Sequence, residues 1–305
     1  MTVSAADKAQ DNLVAMGLFL CSSVAFACMH AMIKHIATDM HPFEIAFFRN
    51  LFGVIVLAPV FLRHGFGPLR TRRPGLMFLR AAINTLTMIS FFMALALAPL
   101  ADVAALNFTA PIFATLLAML FLGEKVGVRR WAAILAGLAG AMLVLRPGFG
   151  TLETGHVLTL FSAICWGVIL MIIKILSRTE SALTITLYMG LWMTPLSAIP
   201  AAFFWTWPDF DLLLWLAAIG VVGTAGQYLV TEALRRGDTT VIMPLDFFKL
   251  VWAGVLGVVL FGELPDAFTW AGGAVIFLSA TYIALRERRL KKDPGLPVPR
   301  TPGQS

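Results

Sequence analysis

Asp246 and Lys249 stand three residues apart in the middle of an apolar stretch, so on a helix they share one face. A carboxylate and an ammonium at that spacing have two possible uses. They can neutralise each other and hold helix packing, or they can meet a bound molecule, Lys249 taking a carboxylate and Asp246 an amine or a coupling proton. A charge at mid-bilayer is disfavoured by ~2.5–3.5 kcal/mol on insertion scales, which makes every ionisable residue at that depth a candidate for lining a cavity. Arg49 is the next candidate. It lies too deep to reach the cytoplasm and about two turns from the outer face, with Glu44 on the turn outside it, and is either tied to Glu44 or to carbonyls or reads an anion. Arg80, about a turn from the end of its apolar run, is expected to snorkel.

Rings near these points, Phe108, Trp166, Tyr188, Phe247, Phe248 and Trp252, offer stacking faces for a planar or apolar substrate, although most of the 24 Phe must face lipid or packing. Pro111 and Pro244 each remove a backbone donor, bending the helix and freeing carbonyls that face protein or line a cavity. Paired bends of this kind suit a rocking motion.

The elements that must position these residues follow from composition. At 59% hydrophobic, 13% charged and a mean hydropathy of +0.85, the chain is too apolar for a soluble domain. About 20 apolar residues cross a ~30 Å hydrocarbon core. Ten runs qualify, near 13–34, 43–62, 75–97, 101–121, 129–146, 154–176, 181–204, 210–232, 239–261 and 268–285. The connectors are short and leave no room for a soluble domain. Basic residues fall in clusters between runs rather than in a stripe, so the charge of +6 points to orientation and not to nucleic acid. Of the 23 Lys and Arg, all lie on one side except Lys34 and Arg146 on the other and Arg49, Arg80 and Lys249 within spans. Both termini are therefore expected in the cytoplasm. No cleavage-type tail follows the first run, which is expected to stay as a span. Cys21, Cys28 and Cys165 read as small buried hydrophobes.

The chain is duplicated. Phe121-Leu-Gly-Glu124 with Trp131 returns 139 residues later as Leu260-Phe-Gly-Glu263 with Trp270. Trp131 and Trp270 begin helices and read as interfacial anchors. The same offset sets Asn107 against Asp246 and Ala110 against Lys249. Five spans per copy is an odd number, so the second copy enters the membrane from the opposite side. The expected fold is an all-α integral membrane protein of ten transmembrane helices in two inverted five-helix repeats. A cytoplasmic tail (1–12) precedes the first repeat (13–148), and the second (149–286) is followed by a disordered basic, Pro-rich tail (287–305).

The run Pro99-Leu-Ala-Asp-Val-Ala-Ala-Leu-Asn-Phe-Thr-Ala-Pro111, with Gly123-Glu-Lys-Val-Gly-Val-Arg-Arg-Trp131 and Leu145-Arg-Pro-Gly148, resembles the EamA family of the drug/metabolite transporter superfamily. Met243-Pro-Leu-Asp-Phe-Phe-Lys-Leu-Val-Trp252 and Leu260-Phe-Gly-Glu-Leu-Pro265 are similar to it in the second half. The resemblance implies a ten-helix bacterial inner-membrane carrier with a central cavity lined from both halves. Its substrate class would be an amino acid or related small metabolite, or a planar cofactor or vitamin of the riboflavin or S-adenosylmethionine type. A proton or a counter-substrate is the candidate coupling partner, and neither cofactor nor nucleic acid is expected. No Gly-x4-Gly-Lys-Ser/Thr loop is present, so direct use of ATP is not expected.

Enzyme chemistry finds little support. His30, His35, Asp39 and His41 cluster near one end of the first span, but no His-Glu-x-x-His, Cys-x-x-Cys or Ser-centred motif accompanies them. Neither a metal nor a catalytic site is expected there.

Overall fold

The computed structural model describes residues 5–64, 71, 73–122, 128–146, 153–176, 179–180, 182–236 and 243–292. Glu124, Asp238 and the Pro-rich tail beyond 292 lie outside the described residues. The elements are α1 (Ala5–Ile36), α2 (Pro42–His64), α3 (Pro74–Leu97), α4 (Leu100–Asn107), α5 (Ala110–Leu122), α6 (Val128–Leu145), α7 (Thr154–Leu176), α8 (Ala182–Ala201) and α9 (Phe210–Arg236). A 3-10 turn (Met243–Phe247), α10 (Phe248–Phe261) and α11 (Ala267–Lys292) complete the chain. It is an all-α membrane protein. Among the described residues, Leu13–Ile36, Pro74–Leu97, Leu100–Phe121, Thr154–Ile173 and Phe210–Val230 are each long and apolar enough to cross a bilayer. Taking α4 with α5, and the 3-10 turn with α10, as single crossings gives the ten spans of two five-span repeats.

Helix boundaries follow local chemistry. Pro74 opens α3, where a missing N–H costs nothing, and Ala98 ends it in an extended conformation, as a residue before proline must. Gly262 closes α10 at φ 67°, left-handed backbone that glycine adopts without a Cβ penalty. The Gly262 and Glu263 N–H groups return to the Val258 and Gly257 carbonyls, which turns Glu263 back towards the bundle. At the chain ends, α1 begins at Ala5 and α11 runs to Lys292, so the helices outlast the apolar runs 13–34 and 268–285.

Two expected continuous spans, 101–121 and 239–261, are broken. In the first, the α-helix stops at Asn107, Phe108 and Thr109 form a turn, and α5 starts at Ala110. Pro111 has no N–H to give the Asn107 carbonyl four residues back. Thr109 stabilises the turn, its hydroxyl donating to the Leu106 carbonyl at 2.6 Å and its own carbonyl accepting from Ile112 and Phe113. In the second, the 3-10 turn gives way to α-helix between Phe247 and Phe248. The offset of 139 carries Phe108 onto Phe247, so the two breaks occupy the same place in the repeat. The prolines do not: Pro111 follows its break and Pro244 precedes its own.

The halves interdigitate. α1 packs on α9 and α3 on α7, α2 on α8 and α6 on α11, α1 on α10 and α5 on α7, and α4 on α10. Exchanging every span for its repeat counterpart, with α4 and α5 as one span and the 3-10 turn and α10 as another, returns this same set of pairings. Glycine permits the closest contacts. On α6 and α11, a Cβ at Gly140 would lie 2.9 Å from the Gly272 carbonyl oxygen, and one at Gly272 would lie 2.6 Å from that of Gly140. Along α9, Gly220 faces Phe52, Gly223 faces Met29 and Arg49, and Gly226 faces Ala25 and Phe26, which seats α9 between α1 and α2. Large apolar side chains such as Leu120, Phe121 and Val259 cover the outside, as lipid contact requires.

Candidate functional site

A small, partly open cavity lies where the two broken spans meet α1 and α3. Its space comes from small side chains, Ala27, Ala104 and Ala253, and its walls from Phe26, Phe91 and Phe108. Three polar groups face it: His30 from α1, Asn107 from the end of α4 and Lys249 from the first turn of α10. A mostly apolar concavity with a few converging polar groups is the usual form of a small-molecule site.

The Lys249 ammonium lies 2.6 Å from Asp246 Oδ1, and 5.5 Å and 5.9 Å from the ring centres of Phe26 and Phe19. The approach to Asp246 is close but poorly aligned, so Oδ1 makes no hydrogen bond despite the ion pair. Both side chains stay partly exposed, at 33% and 26%, and of the two only Lys249 lines the cavity. Asn107, the repeat counterpart of Asp246, is exposed to the cavity as the last residue of α4. Its backbone carbonyl is the one that Pro111, which has no N–H, leaves without a helical donor. Ends of interrupted helices are how transporter folds present polar groups at mid-membrane.

The other sequence candidates are dispersed. Arg49 is not tied to Glu44. Glu44 is fully buried and accepts from the Thr206 backbone at 2.6 Å, from the Thr206 hydroxyl and from the His41 N–H. Arg49 instead donates to Asn50 Oδ1 at 3.2 Å and has no ion pair among the described residues. It packs against Gly223 of α9 and does not line the described cavity. Arg80 does not snorkel. It is buried and donates to the Ile185 carbonyl, because α8 offers it an acceptor within the bundle. Trp252 donates its indole N–H to Ser23 Oγ at 3.1 Å, fastening α10 to α1. Phe247 packs on Phe277 at 5.1 Å, and so does its counterpart Phe108 at 5.5 Å. Tyr188 packs beside Met77, Ile172 and Ile185, and Trp166 is 40% exposed on the outside of α7, so neither lines the described cavity. Phe248, 39% exposed, lies 6.4 Å from Trp252.

His30 belongs to the cavity, whereas the sequence groups it with the histidines near the end of the first span. Its ring meets Phe91 edge-on at 5.0 Å, while His35 packs on Trp215 and His41 stacks on Phe204. The three histidines thus part company. The available signal was depth: His30 falls six residues before the end of α1, with Phe26 and Ala27 on the same face.

The face where α1 ends is closed by polar ties. Lys34 pairs with Glu263 at 2.6 Å and donates to the Ala98 carbonyl, and Glu263 Oε2 accepts from the Leu100 N–H that begins α4. Three separate elements are held together at that point.

The model of the EamA-like transporter family matches residues 13–146 and 153–285. An S-adenosylmethionine uptake transporter of Rickettsia bellii is 28% identical over 284 residues, covering 93% of this chain and 97% of that protein. A riboflavin transporter of Rhizobium johnstonii is 33% identical over 251 residues, covering 82% and 83%. A solved crystal structure aligns with a TM-score of 0.57 at 23% identity, over 93% of this chain and 99% of the other, a likeness of fold.

Proposed function

The chain belongs to the EamA-like transporter family and is a multi-pass membrane transporter of small molecules, not an enzyme; from that premise we propose that it carries a planar, hydrogen-bonding metabolite by secondary alternating access. The supporting observation is the cavity. Phe26, Phe91, Phe108 and the His30 ring surround an ammonium and an amide, which suits a ring system with polar edges. The names of the two relatives, riboflavin and S-adenosylmethionine transport, fall in that class. A zwitterionic amino acid is the second reading, favoured by the opposite charges of Asp246 and Lys249 on one face.

The charge count supports both termini in the cytoplasm of a bacterial inner membrane, with repeats at 13–148 and 149–286. In this reading the helix breaks at Phe108 and Phe247 are the joints about which the halves rock, with Pro111 and Pro244 as bend-forming residues, and Asn107, Lys249 and Asp246 touch the substrate.

The test is a ligand-stabilisation series on purified protein with riboflavin, S-adenosylmethionine and individual amino acids. A ligand at 100-fold its dissociation constant adds about 2.7 kcal/mol and raises the melting temperature. The stabilising compound is then followed into sealed vesicles, where its accumulation should depend on an imposed gradient. Stabilisation by amino acids alone would displace the planar-metabolite reading, and binding without gradient-dependent flux would remove secondary transport.

A further inference from the structure

A second ionisable cluster lies at the face where α1 ends, outside the cavity. Asp102, in the first turn of α4, accepts at Oδ1 from the Thr269 hydroxyl of α11 at 2.6 Å. Its Oδ2 lies 3.2 Å from Nε2 of His156, in the first turn of α7. A carboxylate only accepts, so Nε2 carries the hydrogen. Thr269 also approaches Asp266 at 3.1 Å, and Asp266 pairs with Arg146 at the end of α6. His156 is 8% exposed, and its remaining ring nitrogen, Nδ1, is buried without a hydrogen-bond partner.

The charges around His156 do not balance. Asp102 faces it from α4, Asp266 stands at the start of α11 and Arg146 at the end of α6, while Glu153, just before α7, offers its backbone carbonyl to the His156 N–H. Lys34 of α1 and Glu263 of the α10–α11 connector neutralise each other on the same face. Arg146 compensates Asp266, and Asp102 has only the Thr269 hydroxyl and the His156 ring. One proton on His156 Nδ1 offsets the Asp102 carboxylate and turns the Asp102 contact into an ion pair.

We propose that the Asp102–His156 pair is a proton-binding site that couples proton uptake to movement of α4. The proton arrives from water at that face, bonds to Nδ1 to give an imidazolium beside the Asp102 carboxylate, and leaves from the same nitrogen. Helix α4 carries the effect inward, because Asp102 is in its first turn and Asn107, five residues or about 7.5 Å along the axis, faces the cavity. Loading the proton changes how firmly α4 is held to α7 and α11, and with it the position of Asn107. The repeat counterparts of Asp102 and His156 are Val241 and Gly17, so only one face carries the site. Its role in energy coupling rests on the transporter reading above.

The test needs no substrate. In a background with the three cysteines replaced, Ala101→Cys reports on the buried side of α4 and Thr38→Cys on an exposed reference at the same face. The ratio of their maleimide labelling rates, taken between about pH 5 and 8, removes the intrinsic reactivity of the thiolate. A change in that ratio of at least about threefold is expected in the parent, abolished in His156→Gln and in Asp102→Asn and retained in Glu153→Gln. A flat ratio in the parent overturns the proposal, and so does an unaltered pH profile in both variants. Should His156→Gln fail to fold, the parent profile and Asp102→Asn decide the matter. Failure here would leave ligand binding and flux untouched, which separates this inference from the transporter reading.

Discussion

Lys34 Nζ lies 2.6 Å from Glu263 Oε1, joining the end of α1 to the turn that Gly262 makes after α10. The two side chains are 11% and 25% exposed, so removing one leaves the other poorly solvated. Lys34→Ala should destabilise the protein by about 1–3 kcal/mol, less than for a fully buried pair. Glu263→Gln should cost less, since an amide oxygen still accepts from the Leu100 N–H. Thermal unfolding in detergent measures both, and an unshifted Lys34→Ala melting temperature would show that the tie carries no weight.

Lys249→Ala and Asp246→Asn should each lower transport about tenfold or more, equivalent to at least ~1.4 kcal/mol. The protein should remain inserted and folded, because both side chains are partly exposed. Flux is measured in vesicles normalised to folded protein. Normal transport by both variants would mean that the substrate binds elsewhere.

His30 makes ring contacts with Phe26 and Phe91 and no hydrogen bond among the described residues. His30→Leu should therefore weaken substrate affinity about tenfold while leaving the melting temperature of the ligand-free protein nearly unchanged. A large fall in that temperature with unchanged affinity would make His30 a packing residue.

Spans, duplication and the Lys249 wall were legible in the sequence because each rests on a strong one-dimensional signal: apolar length, a fixed offset, a charge in hydrocarbon. The break at Phe108 was not, since Pro111 marks only the missing donor and the turn forms upstream, where Thr109 supplies the alternative hydrogen bonds. Arg80 misled for a related reason, because the acceptor that holds it is a backbone carbonyl of α8, 105 residues away. Pairings between distant helices also decide why Trp166 faces outward and His30 inward.

Gly140→Ala and Gly272→Ala each place a methyl group against backbone oxygen, at 2.9 Å and 2.6 Å. Backbone cannot swing aside, so each should destabilise by about 1–3 kcal/mol. Gly17→Ala, with nothing within 4 Å of the added carbon, is the control and should be neutral or slightly stabilising. Equal melting temperatures for all three would contradict the close contact of α6 and α11.

His41 lies in the connector before α2, stacked on Phe204 at 3.9 Å, and accepts at Nδ1 from the Phe43 N–H. Burial holds its pKa below the ordinary 6.5, against an opposing pull from Glu44. The unfolded chain therefore binds this proton more readily than the folded one. The contribution is fully present above about pH 6.5 and is lost as pH falls through the lower folded value. His41→Gln should flatten that acid decline in a stability-against-pH series, and an unchanged slope would assign it to other groups.

Phe108 and Phe247 lean on one shared ring, Phe277, whose counterpart in the first repeat is Leu138. If the halves trade shapes as proposed, the reverse arrangement has no aromatic partner to offer in the same place. An aromatic pair contributes about 0.5–1.5 kcal/mol beyond its area, enough to tilt a two-state population about 2- to 10-fold. On the proposed alternating access, a carrier built this way would have a preferred resting side, set by a residue that does not itself line the cavity.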